Sequence, residues 1–135
     1  MTPPPPARPA GPATLNLIRF AILLAVLTFG GVTWFVHRQP GWTPDPSMDR
    51  GVLRSVGYAL WGTALIAVAF LRLRWDREAS PARRAPLRVV GWALGEAPAL
   101  WGGVYYFVTD DAGWYAVGVT FLILTFLLFP IPRKP

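Results

Sequence analysis

Cysteine is absent from this chain. Disulfides, iron–sulfur ligation, thiolate zinc sites and cysteine nucleophiles are excluded together. Histidine occurs once, at His37, and lysine once, at Lys134; acidic residues number 7. No Ser-His-Asp set and no phosphate-cradling glycine loop is present, so no enzyme site is expected. No metal site is expected either, because Asp110 and Asp111 alone supply too few oxygens for a divalent cation. Extended polar sequence is also scarce. The Pro-rich start and two linkers of about fifteen residues each fall short of the ~50 residues that an independent extramembrane domain usually needs.

Apolar residues fill the space left by charge. The chain is 53% hydrophobic and only 15% charged, and its charges sit between long apolar segments. Those segments cover residues 15–36, 52–73, 87–109 and 112–131. Each meets or approaches the ~20 residues that carry a helix across a hydrocarbon layer of about 30 Å. Period-2 alternation is missing, and four strands cannot close a barrel. The expected fold is therefore all-α: a polytopic membrane protein of four transmembrane helices in an antiparallel bundle. The tight turn Thr109-Asp110-Asp111-Ala112-Gly113 makes the last two a hairpin. Residues 1–14 are expected to be a disordered cytoplasmic tail, 15–131 the membrane domain and 132–135 a second cytoplasmic tail. The first apolar run is longer than the usual ~7–15 residues of a signal peptide and lacks a small-x-small cleavage site, so it is read as a retained span.

The net charge of +6 sets topology rather than marking nucleic acid, since no basic aromatic module accompanies it. Arg8, Arg19, Arg72, Arg74, Arg77, Arg83, Arg84, Arg88, Arg133 and Lys134 fall on one side of a four-span arrangement. Only Arg38, Arg50 and Arg54 fall on the other. Both termini are therefore expected in the cytoplasm. The preference for Arg over Lys, with abundant Ala, Gly and Pro, resembles GC-rich bacterial coding and suggests a bacterial cytoplasmic (inner) membrane. Trp34, Phe35, Trp42, Trp75, Trp114 and Tyr115 lie near predicted span ends and read as an interfacial belt. Trp61, Trp92 and Trp101 lie deeper, as candidates for packing or for an apolar ligand.

Glu96 stands alone as an acid deep within the third apolar segment. A central charge costs roughly 2.5 kcal/mol or more to insert, so a partner or a task must offset it. On a helical wheel Glu96 projects within about 20° of Gly103 and about 60° of Ala99. Gly91, Gly95, Ala99 and Gly103 recur at steps of four, as do Ser55, Ala59, Thr63 and Ala67 on the second segment. In lipid, small residues let backbones approach, so these two strips are expected to pack on each other. Pro98 has no N–H and leaves the Leu94 carbonyl free, so a kink is expected. Glu96, Pro98 and the glycines around them are thus candidates for helix packing, or for ion and proton handling.

The run Gly95-Glu96-Ala97-Pro98-Ala99-Leu100-Trp101-Gly102-Gly103-Val104 resembles the acidic helix of rotary-ATPase proteolipid subunits. The resemblance implies an ion-binding carboxylate at Glu96. It covers about ten residues of 135, Pro98 interrupts the motif, the preceding helix lacks the family's glycine repeat, and a further span follows. Arg72, Arg74, Arg77, Arg83 and Arg84 in the middle linker are candidates for docking lipid headgroups or an acidic partner. No cofactor is expected; His37, at the outer end of the first span, is the single position at which haem or pigment ligation is conceivable. The expected partners are the lipid bilayer and other membrane subunits, or further copies of the chain. The function these readings favour is a structural or accessory subunit that packs against other membrane subunits, with an energy-converting complex as one such setting. A small transporter built on Glu96 is the alternative.

Overall fold

The computed structural model describes residues 11–44 and 47–131. They form four α-helices and, among the described residues, no strand: α1 (Pro12–His37), α2 (Arg50–Arg77), α3 (Pro81–Thr109) and α4 (Gly113–Leu128). The expected tails at residues 1–10 and 132–135 lie outside the described residues. Residues 12–14 are the first turn of α1 and not part of a tail.

Local chemistry sets the helix ends. Proline stands in the first turn of α1 and α3, where its missing N–H has no intrahelical partner to lose. Asp49 caps α2: its carboxylate accepts from the backbone N–H of Gly51 at 2.7 Å and of Val52 at 3.3 Å. α3 closes on Asp110, which takes the left-handed conformation with φ 62°. Asp111 then accepts from the Gly113 N–H at 2.9 Å and starts α4. α4 is shorter than the apolar run 112–131 because Pro130 keeps Phe129 off helical geometry, at φ −120° and ψ 70°.

α3 is the centre of the fold. It packs most extensively on α4, then on α2 and α1, whereas α1 and α2 share no substantial contact. Along the α3–α4 seam the partners run in opposite order: Gly91 meets Phe129, Gly95 meets Thr125, Ala99 meets Gly118 and Gly102 meets Trp114. The turn of three residues between the helices leaves α4 little choice but to fold back along α3.

The glycine strip of α3 therefore faces α4, with Gly103 under Phe29 of α1, and not the small-residue strip of α2. The bulky side chains of α4 fill the shallow glycine-lined face. α2 instead buries Gly57, Ala64, Val68, Leu71 and Trp75. Spacings of seven, four, three and four interlock large side chains with a neighbour, which a strip of small residues cannot do. Ser55, Ala59 and Thr63 remain exposed, and Ala67 is half-buried. The hydroxyls of Ser55 and Thr63 donate back to the carbonyls of Gly51 and Ala59 in their own helix.

By length and composition, α1 and α2 are apolar enough to cross a membrane. α3 carries Arg83, Arg84, Arg88 and Glu96, and α4 has 16 residues.

Candidate functional site

The closest backbone approach lies one turn from Glu96. A methyl group added at Gly118 would stand 2.6 Å from Ala99 Cα, and one at Gly102 would stand 2.5 Å from the Trp114 carbonyl oxygen. Pro98 is fully buried at this crossing, and α3 runs through it without interruption. Its carbonyl and the Ala99 backbone form the wall that Gly118 meets. The missing N–H of Pro98 thus falls where α3 is clamped by a neighbour, which holds the helix across the lost bond.

Glu96 is half-buried on the flank of this crossing. Its carboxyl has no hydrogen bond or ion pair with any described residue, nor is it among the fully enclosed unpartnered atoms. It therefore reaches the outer surface of the helix assembly. On the same face one turn earlier, Trp92 is fully buried with Phe126 set edge-on at 5.7 Å. The Arg19 guanidinium lies over that Phe126 ring at 4.7 Å. Arg19 thus turns inward from α1 toward the α3–α4 seam without pairing with Glu96. Of the other deep tryptophans, Trp61 packs on Phe121 at 5.1 Å, and Trp101 lies against Gly57.

The end of the assembly near the 109–113 turn is held by His37. Its side chain is only 6% exposed, with Nε2 3.0 Å from the Phe107 carbonyl and Nδ1 2.8 Å from Asp110 Oδ1. The Nδ1 contact is an ion-pair approach without hydrogen-bond alignment. Trp42 packs against the ring at 3.8 Å, tilted by 34°, and Tyr106 meets it edge-on at 4.9 Å. Both ring nitrogens face protein oxygens. His37 ties the end of α1 to the end of α3. His37→Phe keeps the ring contacts and removes both polar ones. We expect it to lower stability by about 2 kcal/mol, read as an earlier midpoint of far-UV circular dichroism loss in detergent.

Arginine dominates the opposite end, and its arrangement differs from a simple docking strip. Three carbonyls at and just beyond the end of α4 lie outside helical reach, and each finds a donor from another helix. Arg72 donates to Leu128 O at 2.7 Å, Trp92 to Phe129 O at 3.2 Å and Arg88 to Pro130 O at 2.9 Å. Arg72, placed in the sequence among the headgroup candidates, is engaged in this cap and pairs with Asp76 at 3.1 Å. Arg74, Arg77 and Arg83 are exposed and Arg84 is half-buried. Trp75 leaves the interfacial belt: it is buried, packed on Phe129 at 5.5 Å and overlaid by Arg84 and Arg88. The capping roles of Arg88 and Trp92 had no counterpart in the sequence reading, because they join residues about forty positions apart.

Among the described residues no cluster of three His, Cys, Asp or Glu side chains could hold a metal ion. The chain matches no protein-family model, no curated protein and no solved structure.

Proposed function

We propose that this chain is a four-span protein of a bacterial cytoplasmic membrane. Both termini face the cytoplasm, and it serves as a structural or accessory subunit packed against other membrane chains. The observation that carries this reading is the Glu96 carboxyl, which has no partner among the described residues and opens on the surface of the assembly. An acid at membrane depth needs a donor, and a neighbouring chain is the source that an accessory role supplies. The exposed apolar faces of α1 and α2 support the bilayer setting. Leu17, Phe20, Leu65, Ile66 and Phe70 are all at least half exposed, which a lipid surrounding accommodates and water does not. The small-residue strip of α2 adds support, lying open beside a groove of about 380 Å³ between α2 and α3.

The alternative is a proton- or cation-handling oligomer. It draws on the Leu94 carbonyl that Pro98 frees close to Glu96, and on Arg19 reaching the same seam.

Purification in mild detergent with identification of co-purifying chains separates the two. The accessory reading expects a defined membrane partner that is lost in Glu96→Ala and retained in Glu96→Gln, because the amide still accepts and donates hydrogen bonds. A lone monodisperse species overturns it. Normal assembly of Glu96→Gln with loss of ion flux in vesicles would favour the alternative.

A further inference from the structure

We infer that the cavity between the end of α2, the start of α3 and the chain after α4 binds the phosphate of an anionic phospholipid. Its volume is about 300 Å³, and its lining is Trp75, Pro81, Arg84, Arg88, Pro130 and Ile131. Two cations share one ring there. The guanidinium carbons of Arg88 and Arg84 lie 5.1 and 5.4 Å from the Trp75 centroid. Neither arginine forms an ion pair with a described carboxylate.

The hydrogen bonds leave the right groups free. Arg84 uses its Nε–H on the Glu78 carbonyl at 2.6 Å, and Arg88 uses its own on the Pro130 carbonyl at 2.9 Å. Among the described residues, neither terminal amino group of either guanidinium has an acceptor. Arg88 is 95% removed from solvent, at 5% exposure. Its position is fixed while four of its five N–H donors have no acceptor among the described residues, and two neighbouring like charges repel unless an anion lies near both. A phosphate suits this geometry, since each guanidinium can present paired N–H groups to its oxygens.

The start of α3 adds to the field. Pro81 lines the cavity, Ser80 does not cap the helix with its side chain, and the first turn holds no acid. The helix therefore offers unneutralised N–H groups beside the two arginines. The remaining walls decide the source of the phosphate. Trp75, Pro81, Pro130 and Ile131 are apolar, which suits the glycerol and upper acyl carbons of a lipid and gives a free phosphate nothing to bond. Under the bilayer reading, on which this inference rests, the cavity also lies at headgroup depth; the accessory role is not required.

The test uses the full chain, purified and stripped of lipid in nonionic detergent, with lipid adducts counted by native mass spectrometry. Phosphatidylglycerol, phosphatidylcholine and inorganic phosphate serve as probes. Phosphatidylglycerol is expected to bind more tightly than phosphatidylcholine. Arg84→Gln should weaken its binding about fivefold, and the exposed control Arg83→Gln should leave it unchanged. Arg88→Lys keeps a positive charge while removing the fork, and is expected to weaken binding too. Equal binding of the two lipids, or an Arg84→Gln protein that binds like the parent, overturns the site. Inorganic phosphate matching phosphatidylglycerol at equal concentration overturns the lipid source. A chain that stays in solution without detergent instead removes the bilayer reading itself.

Discussion

Gly118→Ala is expected to lower the stability of the assembly by about 3 kcal/mol. The new carbon would stand 2.6 Å from Ala99 Cα, 2.7 Å from the Pro98 carbonyl oxygen and 2.9 Å from the Ala99 nitrogen. All three are backbone atoms, so no rotamer change relieves the clash and α4 must move away from α3. Gly102→Ala meets the Trp114 carbonyl and Tyr115 Cα in the same way and should cost a similar amount. The double variant should cost less than the sum of the two, because helices already separated by one methyl group leave room for the second. Gly31 and Gly62 are the matched controls. Nothing lies within 4 Å of a carbon added at either, so alanine there is expected to be neutral or to stabilise by up to about 1 kcal/mol through helix propensity. Unfolding midpoints in mixed detergent–dodecyl sulfate micelles, followed by far-UV circular dichroism, measure all five variants. A Gly118→Ala protein as stable as Gly62→Ala would show that the two backbones do not meet there.

The same positions show how far the sequence could be read. The steps of four from Gly91 to Gly103 marked a face of α3 that had to receive a neighbour, and α3 does receive one there. The identity of that neighbour was beyond reach. A matching step of four on α2 looked like the complement, yet a small-residue spacing states only that a backbone can come close, not which one does. The short turn after Thr109 and the bulk of Phe121, Phe126 and Phe129 settled the pairing in favour of α4. Gly118, isolated in an otherwise bulky helix, carried no repeat that would single it out. Glu96 was conspicuous as an acid without company, and its place on the surface of the assembly agrees with its helical-wheel neighbours only in part. Gly103 turns to α1, while the carboxyl finds no described partner. The arginines were legible as charge but not as structure. Arg72 and Arg88 look alike in a count of basic residues, but one reaches Leu128 and the other is buried beside Trp75 because α4 stops short at Pro130.

Trp92→Ala is expected to be the most damaging side-chain truncation, at about 3 kcal/mol. The residue is fully buried and does two things at once. Its ring fills the α3–α4 seam against Phe126, and its indole N–H satisfies the Phe129 carbonyl at 3.2 Å. In water the removal of such a side chain costs about 3–5 kcal/mol, much of it from lost transfer out of solvent. In a bilayer that part shrinks, because lipid tails are as apolar as the protein interior. What persists is the empty volume beside Phe126, with its lost dispersion contacts, and a carbonyl at the end of α4 left without a donor. The expected value therefore falls at the low end of the aqueous range. Trp92→Phe divides the two contributions, since it retains most of the ring volume and loses only the donor; it should cost about 1 kcal/mol. Stability measured in the same micelles supplies the difference between the variants. If Trp92→Phe is as damaging as Trp92→Ala, the hydrogen bond to Phe129 dominates, and the end of α4 rather than the seam is what Trp92 holds in place.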